Sequence, residues 1–261
     1  MLPAFSTDIY FFRTYGKVNA PRQVNGNRSW IPSSRPLWCR SSVLLHSAGS
    51  ISQNFDCVPR LGAIRSRVFL SCGTPTKLVD ELVSQNKTDL TLVANDTSVP
   101  NKDRGKLIEN RQVKKVITTH IGTNPETGKQ MLAGELEVEL VPMGTFYERI
   151  RAKGSGLGGV LTPTGVGTLV EEFKRTMEVD GETFILDTPI GADFALIYGT
   201  KVDKYGNVSY QGTTRNSNVV MATAADTVIV EAEEFVDSMD PNEVIVPGIF
   251  VDYIVVREDK E

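Results

Sequence analysis

The sequence predicts an α/β fold with a mostly parallel sheet flanked by helices. The first observation is that amphipathic helical runs alternate with short apolar runs from residue 73 onward, as in βαβ units. The second is size, because 261 residues of which 40% are hydrophobic suffice to bury a sizeable core. The third is turn chemistry, since Asp180-Gly181 and Gly206-Asn207 both join strand-like runs. These turns predict a β-hairpin elaboration around residues 178–212.

The first predicted helix lies in "GTPTKLVDELVSQN". Its apolar residues recur at helical spacing: Leu78, Val79, Leu82 and Val83. Thr74 or Thr76, beside Pro75, is expected to cap the start of this helix with its hydroxyl group.

The other elements follow in order along the chain. "DLTLVAND" predicts a short buried strand, "GKLIENRQ" a helix and "VKKVITTHIG" a second strand. "ELEVELVPMGT" alternates apolar and acidic residues as a strand does, and "TFYERIRAKG" is helical. Four later strand-like runs complete the fold: "TFILDTPI", "FALIYGTKVD", "VSYQG" and "TVIVEAEEFV".

The composition argues against several classes of function. A net charge of −4 disfavours nucleic acid or an anionic membrane as the main partner. No apolar run approaches the roughly 18 residues that a membrane-spanning helix needs. The three cysteines, Cys39, Cys57 and Cys72, lack the paired spacing of a zinc site or a secreted disulfide framework. We therefore expect a reducing, cytoplasmic setting.

The N-terminal quarter of the chain differs in charge from the rest. Residues 1–70 carry a net charge of +7, whereas residues 71–261 carry −11. Three interpretations stay open: a targeting presequence, a disordered basic extension, or an unnatural stretch from a frameshift or an erroneous gene model, which we favour. We accordingly divide the chain into a basic segment, 1–68, a domain, 69–256, and a short tail, 257–261.

A glycine-rich stretch, "KGSGLGGVLTPTGVGT", covers residues 153–168. Gly154, Gly156 and Gly159 form G-x-G-x-x-G, but a dinucleotide fingerprint wants a strand before it and a helix directly after it. "GVGTLVEEF" could instead place amides at a helix N-terminus suited to an anion. Two interpretations stay open: a loop at a subunit edge whose backbone conformation requires glycine, and a loop that lines a ligand site.

No conventional catalytic grouping is complete in the sequence. His120 is expected to be a strand-end histidine satisfied by hydrogen bonds rather than a base. Cys72 lies near a helix start, which stabilises a thiolate, but without a matching base it is expected to be a small loop residue. Glu135, Glu137 and Glu139 share one face of a strand, either solvated or at an interface. With no metal-ligand spacing either, the chain is predicted to be a binding half without its own catalytic set.

Four long stretches closely resemble the α subunit of family I CoA-transferases. They are "DLTLVANDT", "GKLIENRQVKKVITTHIGTNPETGKQMLAGELEVELVPMGT", "ERIRAKGSGLGGVLTPTGVGTLVEE" and "GTTRNSNVVMATAADTVIVEAEEFV". The acetate/butyrate–acetoacetate CoA-transferases are nearest and the succinyl-CoA:3-oxoacid enzymes more distant. The resemblance runs from about Phe69 to Val256.

The resemblance implies ping-pong transfer of CoA between a short-chain acyl-CoA, acetyl- or butyryl-CoA, and a carboxylate such as acetoacetate. A glutamate of the β subunit would form a glutamyl-CoA thioester, so the expected enzyme is an α2β2 assembly. The CoA thioester would be a substrate, with no permanently bound cofactor and no metal. The alternatives are a phosphate-binding α/β domain and a catalytically silent interaction subunit.

The family carries a Gly-Gly-Phe loop that ends in Gly-x-Pro and contacts CoA. "FLSCGTP" supplies the expected contact residues: Phe69, Leu70, Ser71, Cys72 and Gly73. Arg67 and Val68 stand where the two glycines belong, and residues 1–66 match none of the family's preceding helix, turn and strand. We therefore expect the first sheet strand to be missing and the literal chain to be unstable or inactive.

The resemblance also assigns the active-site wall, while no catalytic residue is expected in this chain. Asn95, in "ANDT", matches a family active-site asparagine and is expected to contact the substrate or the glutamate. Met143, in "VPMGT", stands where many relatives have a glutamine whose amide can stabilise an oxyanion. Either backbone amides such as that of Gly144 take this role, or the acyl specificity differs.

Overall fold

The computed structural model describes residues 44–46, 63–66 and 72–257, the first two ranges for their main chain only. The strands in these ranges are β1 (Leu44–His46), β2 (Ala63–Ser66), β3 (Leu90–Val93), β4 (Val113–Thr118), β5 (Glu137–Leu140), β6 (Val160–Thr162), β7 (Arg175–Val179), β8 (Glu182–Asp187), β9 (Ala192–Asp203), β10 (Val208–Ser209), β11 (Ala225–Val236) and β12 (Tyr253–Val256). The helices are α1 (Thr76–Ser84), α2 (Gly105–Glu109), α3 (Pro125–Leu132), α4 (Met143–Gly154) and α5 (Asn218–Thr223). The elements predicted from residue 76 to 154 are thus confirmed.

The main sheet has the order β1-β12-β11-β9-β2-β3-β4-β5 among the described residues. Every neighbouring pair on this path is parallel, and only β10 joins it antiparallel, beside β9. The prediction of a mostly parallel sheet is confirmed. Because the strands run the same way, the loops that follow β2, β3, β4 and β5 all leave from one edge of the sheet.

The structure corrects the expectation that no strand precedes the glycine loop. β2 lies between β9 and β3 and pairs parallel with both, as in Ile64 opposite Phe194 and Leu92. Strand pairing uses main-chain groups, so a segment that does not match the family pattern can still fill this position. A strand therefore occupies this place in the sheet, which removes one reason for the expected instability. Arg67 and Val68 lie outside the described residues, and the expectation that the literal chain is unstable or inactive stays a prediction that the transfer assay below tests.

Helices cover both faces of the sheet. On one face, a core cluster joins Leu78 and Leu82 of α1 and Leu107 of α2 to inward side chains of β3, β4, β9 and β11. On the other face, Phe146 of α4 and Met221 of α5 join a second cluster. Strands of a parallel sheet that is buried on both faces read as nearly continuous apolar runs, as β9 and β11 do.

The predicted hairpin elaboration is confirmed. Asp180-Gly181 connects β7 to β8, which pair antiparallel in a separate sheet of order β6-β8-β7. Gly206-Asn207 lies in the turn between β9 and β10. None of the helices in the described ranges is long and apolar enough to cross a membrane.

Candidate functional site

The residues singled out from the sequence fall in loops at one edge of the sheet. Cys72 and Gly73 follow β2, Asn95 follows β3, and Met143 and Gly144 follow β5. β2 and β3 are adjacent in the sheet, and β4 lies between β3 and β5. The carboxyl edge of a parallel sheet is where α/β proteins bind ligands. Phe69, Leu70 and Ser71, which complete the expected loop, lie outside the described residues.

The loop after β2 is packed against the 3-10 turn Gly212–Arg215. Gly73 has φ of 72°, and a Cβ on it would lie 2.3 Å from the carbonyl oxygen of Thr214. The Asn218 amide nitrogen lies 3.4 Å from the Gly73 oxygen and 3.0 Å from the Thr214 oxygen, and donates to both. Only glycine allows this close approach, so the contact requires glycine at position 73.

Cys72 belongs to the same contact rather than to a catalytic pair. Its Sγ atom lies 3.0 Å from the hydroxyl oxygen of Thr213. The helix that follows begins only at Thr76, with Pro75 at the N-cap, so the thiol precedes the first helical turn. The interpretation of Cys72 as a small loop residue agrees with this geometry.

The first turn of α1 is capped by a distant side chain, which the sequence analysis missed. Neither Thr74 nor Thr76 accepts a capping hydrogen bond, and the N-cap is Pro75. Instead the carboxylate oxygen Oε2 of Glu231 accepts from the backbone nitrogens of Lys77, at 2.8 Å, and Leu78, at 3.0 Å. The prediction of a local threonine cap is therefore wrong, and the available signal was a glutamate inside the apolar run "TVIVEAEEFV".

Asn95 lies in a polar network at the end of β3. The residue is buried, with 4% of its surface exposed. Its Oδ1 accepts from the Thr119 hydroxyl at 2.8 Å, and its amide nitrogen donates to Asp96 Oδ2 at 3.4 Å. Asp96 in turn pairs with Arg104, whose side chain is buried. Asn95 is thereby held in a fixed orientation at the carboxyl edge.

Met143 and Gly144 form the exposed start of α4. Met143 is 49% exposed, and no heavy atom lies within 4 Å of where a Cβ on Gly144 would be. The first helical hydrogen bond runs from Phe146 N to Pro142 O, at 2.8 Å. The amides of Met143 and Gly144 therefore precede the helical ladder, in two exposed residues at a helix start, which favours negative charge.

The histidine and the glutamates considered from the sequence take part in structural contacts. His120 is exposed at the end of β4, its backbone nitrogen donating to Asn95 O at 3.2 Å. Glu137 and Glu139 lie on β5 and pair with Lys115 and Arg149, whereas Glu135 precedes the strand and pairs with Arg111. Hydrogen bonding to Glu137 raises the pKa of Lys115. No group of three potential metal ligands occurs within the described residues.

The glycine-rich stretch is not a nucleotide fingerprint. Gly154 ends α4, and Gly159 immediately precedes β6, so a helix comes before the motif and a strand after it. The helix considered for "GVGTLVEEF" is absent, because residues 163–174 form successive turns. The stretch instead leads the chain into the sheet of β6, β7 and β8.

The described fold is that of an α/β protein with its candidate site at the carboxyl edge of a parallel sheet. The family model described as Coenzyme A transferase matches residues 66–257, and this chain belongs to that family.

Two relatives place the chain within the family. It is 54% identical over 189 residues to the acetoacetyl-CoA:acetate/butyrate CoA transferase alpha subunit of Clostridium acetobutylicum, covering 72% of this chain and 87% of that one. It is 41% identical over 195 residues to one subunit of a probable succinyl-CoA:3-ketoacid coenzyme A transferase of Bacillus subtilis, with coverage of 74% and 82%. The order of resemblance inferred from the sequence is confirmed.

A solved structure of similar fold is an acyl-CoA transferase of E. coli O157:H7, in a thioester complex with CoA. It has a TM-score of 0.73 at 19% identity, and the match covers 87% of this chain. This chain spans only 50% of that protein's length. At this identity the likeness supports the fold alone.

Proposed function

We propose that this chain is the α subunit of a CoA-transferase that moves CoA between a short-chain acyl-CoA and a carboxylate. Acetyl-CoA or butyryl-CoA is the proposed donor and acetoacetate the proposed acceptor. The Clostridium relative's name gives the same acids in the reverse direction, with acetoacetyl-CoA as the donor and acetate or butyrate as the acceptor. The observation that carries the proposal is the gathering of three elements at one sheet edge: the Cys72–Gly73 loop, Asn95 and the open start of α4. Family membership supports the same reaction.

The chemistry needs a nucleophile, which we assign to a glutamate of a β subunit. Its carboxylate adds to the thioester carbonyl and expels CoA as a thiolate, which leaves a mixed anhydride. The thiolate then attacks the glutamyl carbonyl, forms the glutamyl-CoA thioester and releases the first carboxylate. The acceptor carboxylate reverses these steps and leaves as the new acyl-CoA.

In this scheme the α chain supplies binding and charge stabilisation. The loop at Cys72 and Gly73 would lie along the CoA moiety, and the amides of Met143 and Gly144 would donate to the oxyanion that forms at the thioester carbonyl. Asn95 would orient the attacking glutamate or the acyl group. We further propose the α2β2 stoichiometry and a cytoplasmic location, the latter on the cysteine pattern.

The test is to trap the intermediate on the assembled enzyme. The α chain is produced with its β subunit, incubated with acetyl-CoA and treated with borohydride, which reduces a glutamyl thioester to an alcohol. We expect a loss of about 14 Da, the calculated value for a carboxylic acid reduced to an alcohol, on one β-subunit glutamate and no change in the α chain. Transfer to acetoacetate is measured in parallel.

Two results would contradict the proposal. A complex that assembles but neither forms the thioester nor transfers CoA would make the chain an interaction subunit. A reduced glutamate in the α chain would reverse the assignment of the nucleophile.

A further inference from the structure

Glu231 is a fully buried glutamate that acts on a helix 154 residues earlier in the chain. Its side chain is 0% exposed, and one carboxylate oxygen accepts from both Lys77 and Leu78. These are amides of the first turn of α1, which has no local side-chain cap. A carboxylate at this end of a helix is favoured both by the free N–H groups and by the helix dipole.

The position of Glu231 follows from the register of the sheet. On β11 it pairs with Tyr198 of β9 and Val255 of β12. Ile229, two residues earlier, packs in the cluster that contains Leu78 of α1, and side chains two apart on a strand share a face. Glu231 therefore lies on the α1 side of the sheet, directly under the start of the helix.

Few charged groups face this carboxylate. From the end of β12, Arg257 Nε lies 3.8 Å from Glu231 Oε1, and Arg257 also donates to the Thr76 hydroxyl at 3.3 Å. From α1, the charge of Lys77 acts on it. From β9, the Tyr198 hydroxyl is already bonded to Glu233. Glu231 thus joins three elements: β11, the end of β12 and the start of α1.

The helix start that Glu231 holds is continuous with the loop proposed to contact CoA. Only Thr74 and Pro75 separate Gly73 from Thr76, and Thr76 N donates to Thr74 O at 2.9 Å. On the other side, Asn218 holds Gly73 through its carbonyl. A shift of the helix start would therefore also displace Gly73. Gly73 packs so closely on the 3-10 turn Gly212–Arg215 that no Cβ fits between them.

We propose that Glu231 is a positioning residue for CoA binding, because it anchors the first turn of α1 and with it the Cys72–Pro75 loop. The inference rests on the proposed function and extends it to a residue that does not touch the substrate. Burial raises the pKa of Glu231 to about 7, against the hydrogen bonds from Leu78 and Lys77 and the charge of Arg257. The ionised form accepts the two amide hydrogen bonds more strongly, so the anchor tightens as the pH rises through this value.

The experiment compares Glu231→Ala with Glu231→Gln in the α/β complex. Gln keeps an acceptor oxygen but cannot ionise, whereas Ala removes both acceptors. Glu234→Gln, at an exposed position of the same strand, controls for the change of charge. Val116→Ala, in the core cluster away from the loop, controls for a general loss of stability.

The first readout is hydrogen exchange in peptides that cover residues 72–79. For Glu231→Ala we expect the amides of Lys77 and Leu78 to exchange about tenfold faster, the size of a lost cap, and Gln to restore most of the protection. Equal exchange in the Ala variant and the wild type would overturn the anchor itself. This readout does not depend on any catalytic activity.

The second readout is binding of desulfo-CoA, which cannot react, together with KM values for acetyl-CoA and acetoacetate. We expect Glu231→Ala to weaken the binding of desulfo-CoA about fivefold to tenfold and to raise the KM for acetyl-CoA by a similar factor. The KM for acetoacetate should be unchanged. The affinity of the wild type should change near pH 7 and that of Glu231→Gln should not.

The outcomes separate this inference from the function on which it rests. Faster exchange with unchanged desulfo-CoA affinity, or equal losses in Val116→Ala, would overturn the positioning role. A wild-type complex that binds no desulfo-CoA and transfers no CoA would overturn the proposed function, and with it the role in CoA binding. The exchange data would then still decide whether Glu231 anchors the helix.

Discussion

Two helices begin at the same edge of the sheet, and their first turns have opposite surroundings. At α1, the amides of Lys77 and Leu78 are satisfied by the buried carboxylate of Glu231. At α4, Met143 is half exposed and Gly144 adjoins open space. Both ends carry the same partial positive charge, because it arises from the peptide groups of any helix.

The difference between the two helix starts suits them to different roles: one supports a loop, and the other can act on a ligand. A helix start that is filled by a protein carboxylate cannot also receive a ligand, but it holds the preceding loop in one place. A helix start that stays open can stabilise charge that develops during a reaction. In this comparison α1 presents the Cys72–Gly73 loop and α4 presents its own amides.

Gly73→Ala would produce the largest effect, since it breaks the support at α1. A side chain in the left-handed region that Gly73 occupies costs about 1–2 kcal/mol in any setting. The added Cβ would also lie 2.3 Å from Thr214 O, so the loop or the 3-10 turn must move. Gly134→Ala is the matched control, with the same φ of 72° but no atom within 4 Å.

We expect the Gly73 variant to lose at least about 1 kcal/mol more than the control and to bind desulfo-CoA more than about tenfold more weakly. Chemical denaturation and calorimetric titration measure the two quantities. Equal losses of stability in the two variants would show that the contact with Thr214 does not constrain the loop.

The pH dependence of stability tests the charge at α1. The pKa of Glu231 is raised from 4.5 to about 7 in the folded chain by burial. Between these values the folded chain keeps a proton that the unfolded chain has lost, so stability falls as the pH rises through this window. The loss is about 3 kcal/mol from this group alone.

Glu231→Gln should therefore match the wild type near pH 4.5 and exceed its stability above pH 7, with a flatter profile between. Urea denaturation from about pH 4.5 to about pH 8 measures this, and Glu234→Gln should follow the wild type. Parallel profiles for Glu231→Gln and the wild type would contradict the raised pKa.

The contrast between the two helices also marks what the sequence can predict. The helical spacing of its apolar residues predicts α1, because an amphipathic face is a local property of the chain. The cap of α1 was not predictable in this way, since Glu231 reaches Lys77 only after β11 has packed under the helix. Thr74 and Thr76 had the right chemistry at the right spacing, and tertiary packing overrode both.

Two other differences have physical reasons of the same kind. β2 lacks the family's sequence pattern, yet main-chain pairing with β3 and β9 suffices to place it. Residues 163–174 form turns rather than a helix, with Phe173 in the left-handed region at φ of 65°. By contrast, the sequence does predict that Asn95, Met143 and Gly144 lie at one edge, because the carboxyl ends of parallel strands meet there.

Met143→Gln sharpens the comparison from the side of α4. The new amide can donate to an oxyanion where Met143 cannot, and the exposed position should leave stability unchanged. We expect kcat to rise up to about tenfold for acetyl-CoA or butyryl-CoA, with KM for the thioester unchanged. Met143→Leu controls for side-chain replacement, and unchanged kinetics of the Gln variant for every donor would exclude this role.

Thr74→Val should have the smallest effect. The Thr74 hydroxyl is buried and accepts or donates no hydrogen bond within the described part of the chain. Because Glu231 caps α1, the isosteric change should alter the free energy of unfolding by no more than about 0.5 kcal/mol. A loss near the roughly 1 kcal/mol of a true N-cap, measured by denaturation, would return that role to the threonine.

The most direct test of the contrast is hydrogen exchange of the α/β complex before and after loading with acetyl-CoA. We expect slow exchange of Lys77 and Leu78 in both states, and new protection of Cys72, Gly73, Met143 and Gly144 only after loading. The contrast between α1 and α4 would be contradicted if loading left the exchange of Met143 and Gly144 unchanged, or if Lys77 and Leu78 became protected only when CoA was bound.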